Sequence, residues 1–257
     1  MSIGTAKPSS EDMDGVTHHF VDFISVEQTY SAGKFEEEAI KKIKELHTTN
    51  PVVVMVGGSG LYVNAVLNGI DPIPSNQSIR EELSNILKEI GIEPLQNELL
   101  EKDPEHYHDM DIDNPQRLIR ALEVCRHTGN TYTSYRTKSI KARPFEIIKI
   151  GLTTSRENIY SRINFRVDEM LKQGLLDEVK ALQEVRHLNA LQTVGYRELF
   201  DHLDGKIELQ VAIENIKTNT RRFAKRQLTW FGKDPEVHWF DIKDPTLAVN
   251  FAKSLIG

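Results

Sequence analysis

Short apolar runs alternate along the chain with longer stretches in which apolar side chains recur at every third or fourth position. This alternation predicts an α/β protein with a parallel sheet. The run PVVVMVGG (51–58) is apolar throughout and is predicted to be a buried strand that ends in glycines, with helices covering both faces of its sheet. Three further strands are predicted at HHFVDF (18–23), FEIIKIGLT (145–153) and VHWFDI (237–242).

Helical periodicity accounts for most of the remaining chain. The predicted helices are one that follows Gly33 and others at about 60–68, 78–90, 94–102, 114–128, 155–171, 174–186, 192–203 and 207–231. Residues 72–144 contain no convincing strand, and linker-like segments flank them. We therefore expect an α/β core formed by residues 1–71 and 145–257, interrupted by a helical insertion at 72–144.

The composition is that of an ordinary globular protein, with 39% hydrophobic and 27% charged residues. The single cysteine, Cys125, excludes an intrachain disulfide and a zinc site built on four cysteines or on two cysteines and two histidines. The longest apolar run, 52–56, is too short to cross a membrane, and the first ten residues lack the apolar stretch of a signal peptide. We expect a cytoplasmic protein without a membrane partner.

The net charge of −6 argues by itself against a nucleic-acid partner, but the charge is unevenly distributed. Residues 217–233 contain six basic side chains and no acidic one. Helical spacing arranges five of them in two stripes: Lys217, Arg221 and Lys225, and beside them Arg222 and Arg226. Like charges one turn apart destabilise a helix and phosphates would relieve that repulsion, so contact with phosphate or RNA is predicted. The alternative is a solvated basic face that pairs with acidic residues elsewhere.

The segment GGSGLY (57–62) follows a predicted strand and opens a helix, at the edge where open α/β sheets bind ligands. Ser59 would place a hydroxyl group at that edge, and the alternative is a tight turn without a ligand. The P-loop pattern G-x-x-x-x-G-K-[ST] does not occur, so the usual cradle for a triphosphate is lacking.

Two arginine pairs lie at helical spacing. Arg117 and Arg120 are three residues apart, and Arg162 and Arg166 are four apart, a spacing at which two guanidinium groups suit a pyrophosphate. The polar run at 192–197 offers groups that hydrogen-bond to or stack on unpaired bases. Taken alone, each of these patterns is explained better by a solvated helix face, with Asp168 or Glu169 as surface partners in the case of Arg162 and Arg166. Solvation also explains better a candidate metal cluster formed by His106, His108, Asp109 and Asp111.

Together and in this order, the segments resemble the tRNA dimethylallyltransferases, also called tRNA isopentenyltransferases. The strings that carry the resemblance span nearly the whole chain: IGTAKPS (3–9), HHFVDF (18–23), YSAGKF (30–35), MVGGSGLY (55–62), NPQRLIRALEV (114–124), LNALQTVGYRELF (188–200) and TRRFAKRQLTWF (220–231). The resemblance implies a P-loop-kinase-like core with a helical insertion that clasps the anticodon stem-loop of tRNA. It also implies a monomer that uses Mg²⁺ and moves a dimethylallyl group from dimethylallyl diphosphate to the exocyclic amine of a flipped adenine, just 3′ of the anticodon.

The resemblance further assigns roles to individual positions. Arg166 matches a diphosphate ligand, and Ser59 stands where the family usually has a threonine that faces the target adenine. The positions that match tRNA-contacting residues are Ser59, Arg80, Gln116, Arg117, Leu118, Ile119, Arg120, Gln192, Thr193, Val194, Gly195, Tyr196, Arg197, Lys225, Arg226, Gln227, Leu228, Thr229 and Trp230.

One large departure separates this sequence from the family pattern. The family begins with a strand, a GPTASGKT-type P-loop, a helix, and a strand whose aspartate resembles the general base. Met1 aligns shortly before IGTAKPS, so we expect a shortened chain that lacks roughly 40 residues, about one βα unit and a strand. Such a chain would retain no catalytic base or magnesium ligand and would be inactive and less stable than a full-length relative. The alternative function is a non-catalytic RNA-binding remnant, and the missing P-loop disfavours a small-molecule kinase.

Overall fold

The computed structural model describes residues 1–137 and 139–256. Contacts within the chain define two compact units. The sheet unit consists of Met1–Ser31, Met55–Gly60 and Glu146–Gly257, and the helical unit consists of Ala32–Val54 and Leu61–Phe145. The helical unit therefore extends beyond the insertion expected at 72–144, and the division into a functional core and an insertion stays a prediction.

Helices make up most of the described chain. In chain order the elements are α1 (Ala32–Leu46), α2 (Gly60–Asn68), α3 (Gln77–Glu89), α4 (Glu93–Lys102), α5 (Pro104–Asp109), α6 (Pro115–Thr128), α7 (Tyr132–Tyr135), β1 (Lys149–Thr153), α8 (Arg156–Lys172), α9 (Leu175–Ala181), α10 (Tyr196–Leu203), α11 (Leu209–Phe231), β2 (Val237–Asp241) and α12 (Pro245–Ile256). The predicted helices are confirmed, although two of them are shorter than expected, and α5, α7 and α12 were not predicted. No helix within the described residues is both long and apolar enough to span a membrane.

Local chemistry sets the helix ends in the helical unit. Asn76 caps α3 by accepting a hydrogen bond from the backbone N–H of Ile79, and Asn114 caps α6 in the same way. Gly129 ends α6 with a φ of 75°, a left-handed conformation that glycine adopts without steric cost. The apolar faces of α3, α4 and α6 form one core, whose buried leucines are Leu83, Leu95, Leu99, Leu118 and Leu122.

In the sheet unit, β1 and β2 form a two-stranded parallel sheet, so the strand predicted at 145–153 is confirmed in its second half and the strand predicted at 237–242 in all but its last residue. Gly151 pairs with Trp239, and a Cβ atom at Gly151 would lie only 2.6 Å from the indole ring. The core of this unit lies among α8, α9, α10 and α11. Its buried side chains include Val167, Leu175, Val179, Leu191, Tyr196, Leu199 and Ile216.

The prediction of a strand at 51–58 is wrong. The segment forms no ladder, and the side chains of Val54 and Val56 are 78% and 90% exposed rather than buried between helices. A strand needs a neighbouring strand whose backbone groups accept and donate its hydrogen bonds. Within the described residues, β1 and β2 pair with each other and no third strand is present to pair with this run.

The prediction of a strand at HHFVDF (18–23) is also wrong. Phe20 and Asp22 have φ values of 62° and 54°, which lie in the left-handed region. An extended strand requires strongly negative φ at every residue, so these two positions bend the chain instead.

Candidate functional site

The helical unit brings two of the predicted tRNA-contacting arginines together on one buried carboxylate. Glu123 is fully buried and accepts a hydrogen bond from Arg80 Nη2 at 2.7 Å, while Arg120 Nη1 lies 3.0 Å from the same oxygen. The backbone N–H of Asn76 donates to the other carboxylate oxygen at 2.7 Å. Burial alone would raise the pKa of Glu123, but these donors lower it, so the carboxylate stays charged and holds both arginines.

Arg120 has a second structural use. Its guanidinium donates to the backbone carbonyls of Pro74 and Ile73 at 2.9 Å each and so fixes the segment that leads into α3. The Arg80 side chain is 44% exposed, so part of it stays open to solvent although it pairs with Glu123. Of these two arginines, Arg80 is therefore the freer to contact a ligand.

The four other predicted positions at the start of α6 are divided by burial. Leu118 and Ile119 belong to the core of the helical unit, so their side chains do not face a ligand. Gln116 and Arg117 are exposed. Helical geometry explains the division, because residues one and two positions apart point to different sides of a helix.

A pocket of about 520 Å³ opens beside the start of α6. Arg117 and Arg120 line it together with His106, Asp109 and Arg136, which lie on or next to α5 and α7. No sequence spacing signalled that Arg136 and Arg117 would line the same pocket, because that depends on how the three helices pack. In the part of the chain that the structure describes, no three His, Cys, Asp or Glu side chains converge as a metal site. Three arginines around one pocket favour an anionic ligand.

In the sheet unit, burial also divides the predicted run at 192–197. The exposed side chains are Gln192, Thr193 and Arg197, Val194 is half-buried, and Gly195 and Tyr196 are buried. The Tyr196 ring has no exposed surface, and its hydroxyl donates a hydrogen bond to Glu178 at 2.6 Å. Tyr196 is therefore part of the core in this structure and does not offer its ring to a base.

Glu178 on α9 links Tyr196 by hydrogen bonds to the N-terminal loop, which consists of residues 1–31 before α1. Sequence reasoning missed this residue. Its carboxylate accepts hydrogen bonds from the backbone N–H groups of Ser2, Ile3 and Gly4 at 2.7, 3.0 and 3.1 Å. Burial alone would raise the pKa of Glu178, but the Tyr196 hydroxyl and these amides lower it to about 2. A Cβ atom at Gly4 would lie 2.5 Å from the Tyr196 ring, so this close approach requires glycine.

A second pocket, of about 460 Å³, lies between the N-terminal loop and α8. Lys7 lines it from the loop, and Arg166 and Glu169 line it from α8. Lys7 already pairs with Asp22 at 2.6 Å, whereas Arg166 is exposed and has no ion-pair partner among the described residues. Arg162 does not line this pocket, so the arginine pair that suited a pyrophosphate is divided and Arg166 alone faces the pocket.

The basic helix α11 has an internally paired half. Lys217 pairs with Asp168 at 2.8 Å, and that contact raises the pKa of Lys217. Arg221 donates to Asn164 at 2.7 Å and lies over the ring of Tyr160. The alternative of pairing with acidic residues is therefore confirmed for Lys217, whereas Arg221 contacts an amide and an aromatic ring instead.

The other half of α11 presents its charges to solvent. Arg222, Lys225 and Arg226 are exposed. Arg222 donates to Asn219 at 3.2 Å and Arg226 lies over the ring of Phe223, while Lys225 has no side-chain partner within the described residues. The predicted contact with phosphate or RNA therefore concerns these three side chains rather than the whole basic stripe.

The end of α11 lies against the segment that contains Ser59. Gln227 Nε2 donates to the carbonyl of Gly58 at 2.8 Å. Trp230 packs against Gly60, where a Cβ atom would lie 2.4 Å from the indole ring. Ser59 between these glycines is exposed, so the fold brings it together with two other predicted tRNA-contacting positions. Two further predicted positions on this helix are also exposed: Leu228 and Thr229.

A family model described as IPP transferase matches residues 1–234. The chain belongs to the IPP transferase family. Two curated relatives in this family illustrate the similarity. A tRNA dimethylallyltransferase of Christiangramia forsetii is 51% identical over 245 residues, which cover 95% of this chain and 81% of the relative. The tRNA dimethylallyltransferase 1 of Bacteroides thetaiotaomicron is 46% identical over 254 residues, which cover 98% of this chain and 82% of the relative.

Solved IPP transferases share the fold. The full-length tRNA isopentenylpyrophosphate transferase from Bacillus halodurans matches with a TM-score of 0.70 and 37% identity, covering 100% of this chain and 84% of that one. A eukaryotic dimethylallyltransferase acting on tRNA matches with a TM-score of 0.76 at 24% identity, covering 97% of this chain and 67% of that one, and it shows the fold alone. The expected family fold is therefore confirmed at this level: a helix-rich α/β chain with a small parallel sheet.

Proposed function

We propose that the chain modifies tRNA by transferring a dimethylallyl group from dimethylallyl diphosphate to the exocyclic amine of the adenine 3′ of the anticodon. The observation that carries the proposal is the match to tRNA dimethylallyltransferases at 46–51% identity over more than nine-tenths of the chain. These relatives give no support to an inactive chain or to a non-catalytic remnant. A P-loop-kinase-like arrangement of the core, a monomeric state and a cytoplasmic location belong to the same proposal.

The geometry of the sheet unit supports separate surfaces for binding the diphosphate and for binding the RNA. In the pocket beside the N-terminal loop, the exposed Arg166 guanidinium would bind the departing diphosphate and stabilise its charge. On α11, the exposed cations would bind the RNA backbone. Gln227 donates to the carbonyl of Gly58 and Trp230 packs against Gly60, and these contacts on either side of Ser59 would orient its hydroxyl towards the target adenine.

Magnesium is implied by the family resemblance, but no cluster of three His, Cys, Asp or Glu side chains occurs among residues 1–137 and 139–256 to hold it. Mg²⁺ in phosphate-transferring enzymes often takes its ligands from the substrate and from one or two carboxylates.

The gene should restore the modification in a bacterial strain that lacks its own tRNA dimethylallyltransferase. The measurement is the amount of dimethylallyladenosine in digested tRNA, obtained by liquid chromatography and mass spectrometry. If the protein accumulates but the modified nucleoside is absent, the proposed function is wrong.

In the same strain, Arg166→Gln is expected to slow modification on the order of 10- to 100-fold, because a charge-assisted hydrogen bond to an anion contributes about 1.5–3 kcal/mol. Arg162→Gln is the matched control, since it removes an exposed arginine on the same helix outside the pocket. Equal rates for the two variants would exclude Arg166 as a diphosphate ligand.

RNA binding should depend on the solvent-exposed half of α11, which carries Arg222, Lys225 and Arg226. Lys225→Gln is expected to weaken binding of an anticodon stem-loop RNA and to lower the slope of log affinity against log salt by about one, because one phosphate contact is lost. Lys217→Gln removes the same charge from the same helix, but Lys217 is engaged by Asp168, so the salt slope should not change. Filter binding over a series of salt concentrations measures both, and identical slopes for the two variants would contradict this assignment.

A further inference from the structure

The pocket beside the start of α6 has a role that goes beyond the sequence-derived positions. We propose that it binds a backbone phosphate of the tRNA and that Arg136 is a ligand of this phosphate together with Arg117. This inference rests on the proposed function and deepens it, because it adds a recognition residue that lies outside the family-matched strings. The site lies entirely within the helical unit.

Arg136 is held in place by the neighbouring aromatic residues. Its Nη1 atom donates to Nδ1 of His106 at 3.2 Å, and the His106 ring lies against Tyr132 with 4.7 Å between ring centroids. His106 is buried, and burial together with the nearby Arg136 charge lowers its pKa. The imidazole thus remains neutral at neutral pH and accepts the hydrogen bond, which makes His106 a positioning residue for Arg136.

A buried aspartate fixes α5 and α7 relative to each other and thereby aims this arginine. Asp103 is 1% exposed and accepts a hydrogen bond from the backbone N–H of His106 at 3.1 Å. It also accepts bonds from the backbone N–H and the hydroxyl of Thr133 at 2.8 and 2.9 Å. Arg136 follows α7 directly, so its position is set before a ligand arrives, and such preorganisation lowers the entropic cost of binding.

The charges around the pocket leave a cationic surplus. Arg120 is already committed to Glu123 and to two backbone carbonyls. Arg117 is exposed and has no side-chain partner among the described residues. The facing carboxylate, Asp109, is 64% exposed and lies 3.4 Å from Arg136 Nη1, which is longer than a strong charge-assisted bond of about 2.8 Å. A phosphate can therefore displace Asp109, which acts as a weak intramolecular competitor for Arg136.

This competition gives a test in which two substitutions have opposite effects. Arg136→Gln should weaken binding of the anticodon stem-loop RNA on the order of 10-fold and lower the salt slope by about one. Asp109→Asn should strengthen binding about 2- to 5-fold, because it frees Arg136 and removes a repelling charge. Lys88→Gln, which removes an exposed charge of the same unit away from the pocket, should leave both quantities unchanged.

The outcomes separate this inference from the proposed function. If wild type binds the RNA but Arg136→Gln and Asp109→Asn both behave like Lys88→Gln, the inference is overturned while tRNA binding stands. Weaker binding by Asp109→Asn would also overturn it, since that result indicates a merely structural role for the ion pair. If wild type does not bind the RNA at low salt, both fail. Thermal melting of each variant verifies that it is folded, which is expected because both side chains are partly exposed.

Discussion

Replacing Glu178 with alanine is expected to lower the free energy of unfolding of the sheet unit by about 3–5 kcal/mol. The substitution removes the acceptor for three backbone N–H groups of the N-terminal loop and for the Tyr196 hydroxyl. Tyr196 is fully buried, and a buried donor without a partner costs about 1–3 kcal/mol by itself. The rest of the loss comes from release of the loop that lines the Arg166 pocket.

Urea unfolding followed by circular dichroism measures this loss. Tyr196→Phe keeps the carboxylate and removes one of its four donors, so it should cost about 1–2 kcal/mol. Glu184→Ala removes an exposed carboxylate a few residues away and should change stability by less than about 0.5 kcal/mol. If Glu178→Ala were no more destabilising than Glu184→Ala, Glu178 would not be the anchor of the loop.

The stabilisation by Glu178 should also depend on pH. Its pKa is about 2 in the folded chain and 4.5 in its ordinary state. A carboxyl group whose pKa is lower when folded stabilises fully above its unfolded pKa, and that stabilisation is lost as the pH falls through the folded value. The difference in unfolding free energy between wild type and Glu178→Gln should therefore be constant near neutral pH and shrink as the pH falls from 4.5 towards 2.

In the helical unit, Glu123→Ala is expected to lower the free energy of unfolding by about 3–5 kcal/mol. The substitution removes the buried carboxylate that neutralises two arginines, so their charges lose their compensation. Arg80 and Arg120 both lose their ion pair, and the backbone N–H of Asn76 loses its acceptor. Asn76 caps α3, so the start of that helix should loosen as well. Urea unfolding of the variant measures the total effect.

Two companion variants test the cause. Arg80→Gln should cost less than Glu123→Ala, because Arg120 still neutralises the carboxylate. Glu89→Ala, at the exposed end of α3, should be nearly neutral. Equal losses for Arg80→Gln and Glu123→Ala would mean that Arg80 is the sole partner that matters.

Elements with local signals were predictable from the sequence. Asn114 and Pro115 mark the start of α6 and Gly129 marks its end, and each acts through hydrogen bonds or backbone angles within a few residues. The run at 51–58 has an equally clear apolar pattern, but a strand also needs a partner distant in sequence. Apolar periodicity carries no information on that partner, so the prediction failed there.

The candidate sites show the same limit. The resemblance placed Arg80, Arg120 and Tyr196 among the tRNA contacts, but not the carboxylates that hold them. Glu123 lies 43 residues from Arg80, and Glu178 lies 18 from Tyr196, so no short motif joins the members of either pair. Burial likewise depends on packing, which is why contiguous predicted runs such as 192–197 divide into core and surface residues.

The placement of the tryptophans gives an optical means of observing one unit at a time. The chain contains two, Trp230 beside Gly60 and Trp239 beside Gly151, and both belong to the sheet unit. Indole emission therefore reports the environment of the sheet unit, while the helical unit contributes only tyrosine emission. With excitation at the red edge of the absorption band, where only tryptophan absorbs, the emission should change in Glu178→Ala and stay almost unchanged in Glu123→Ala.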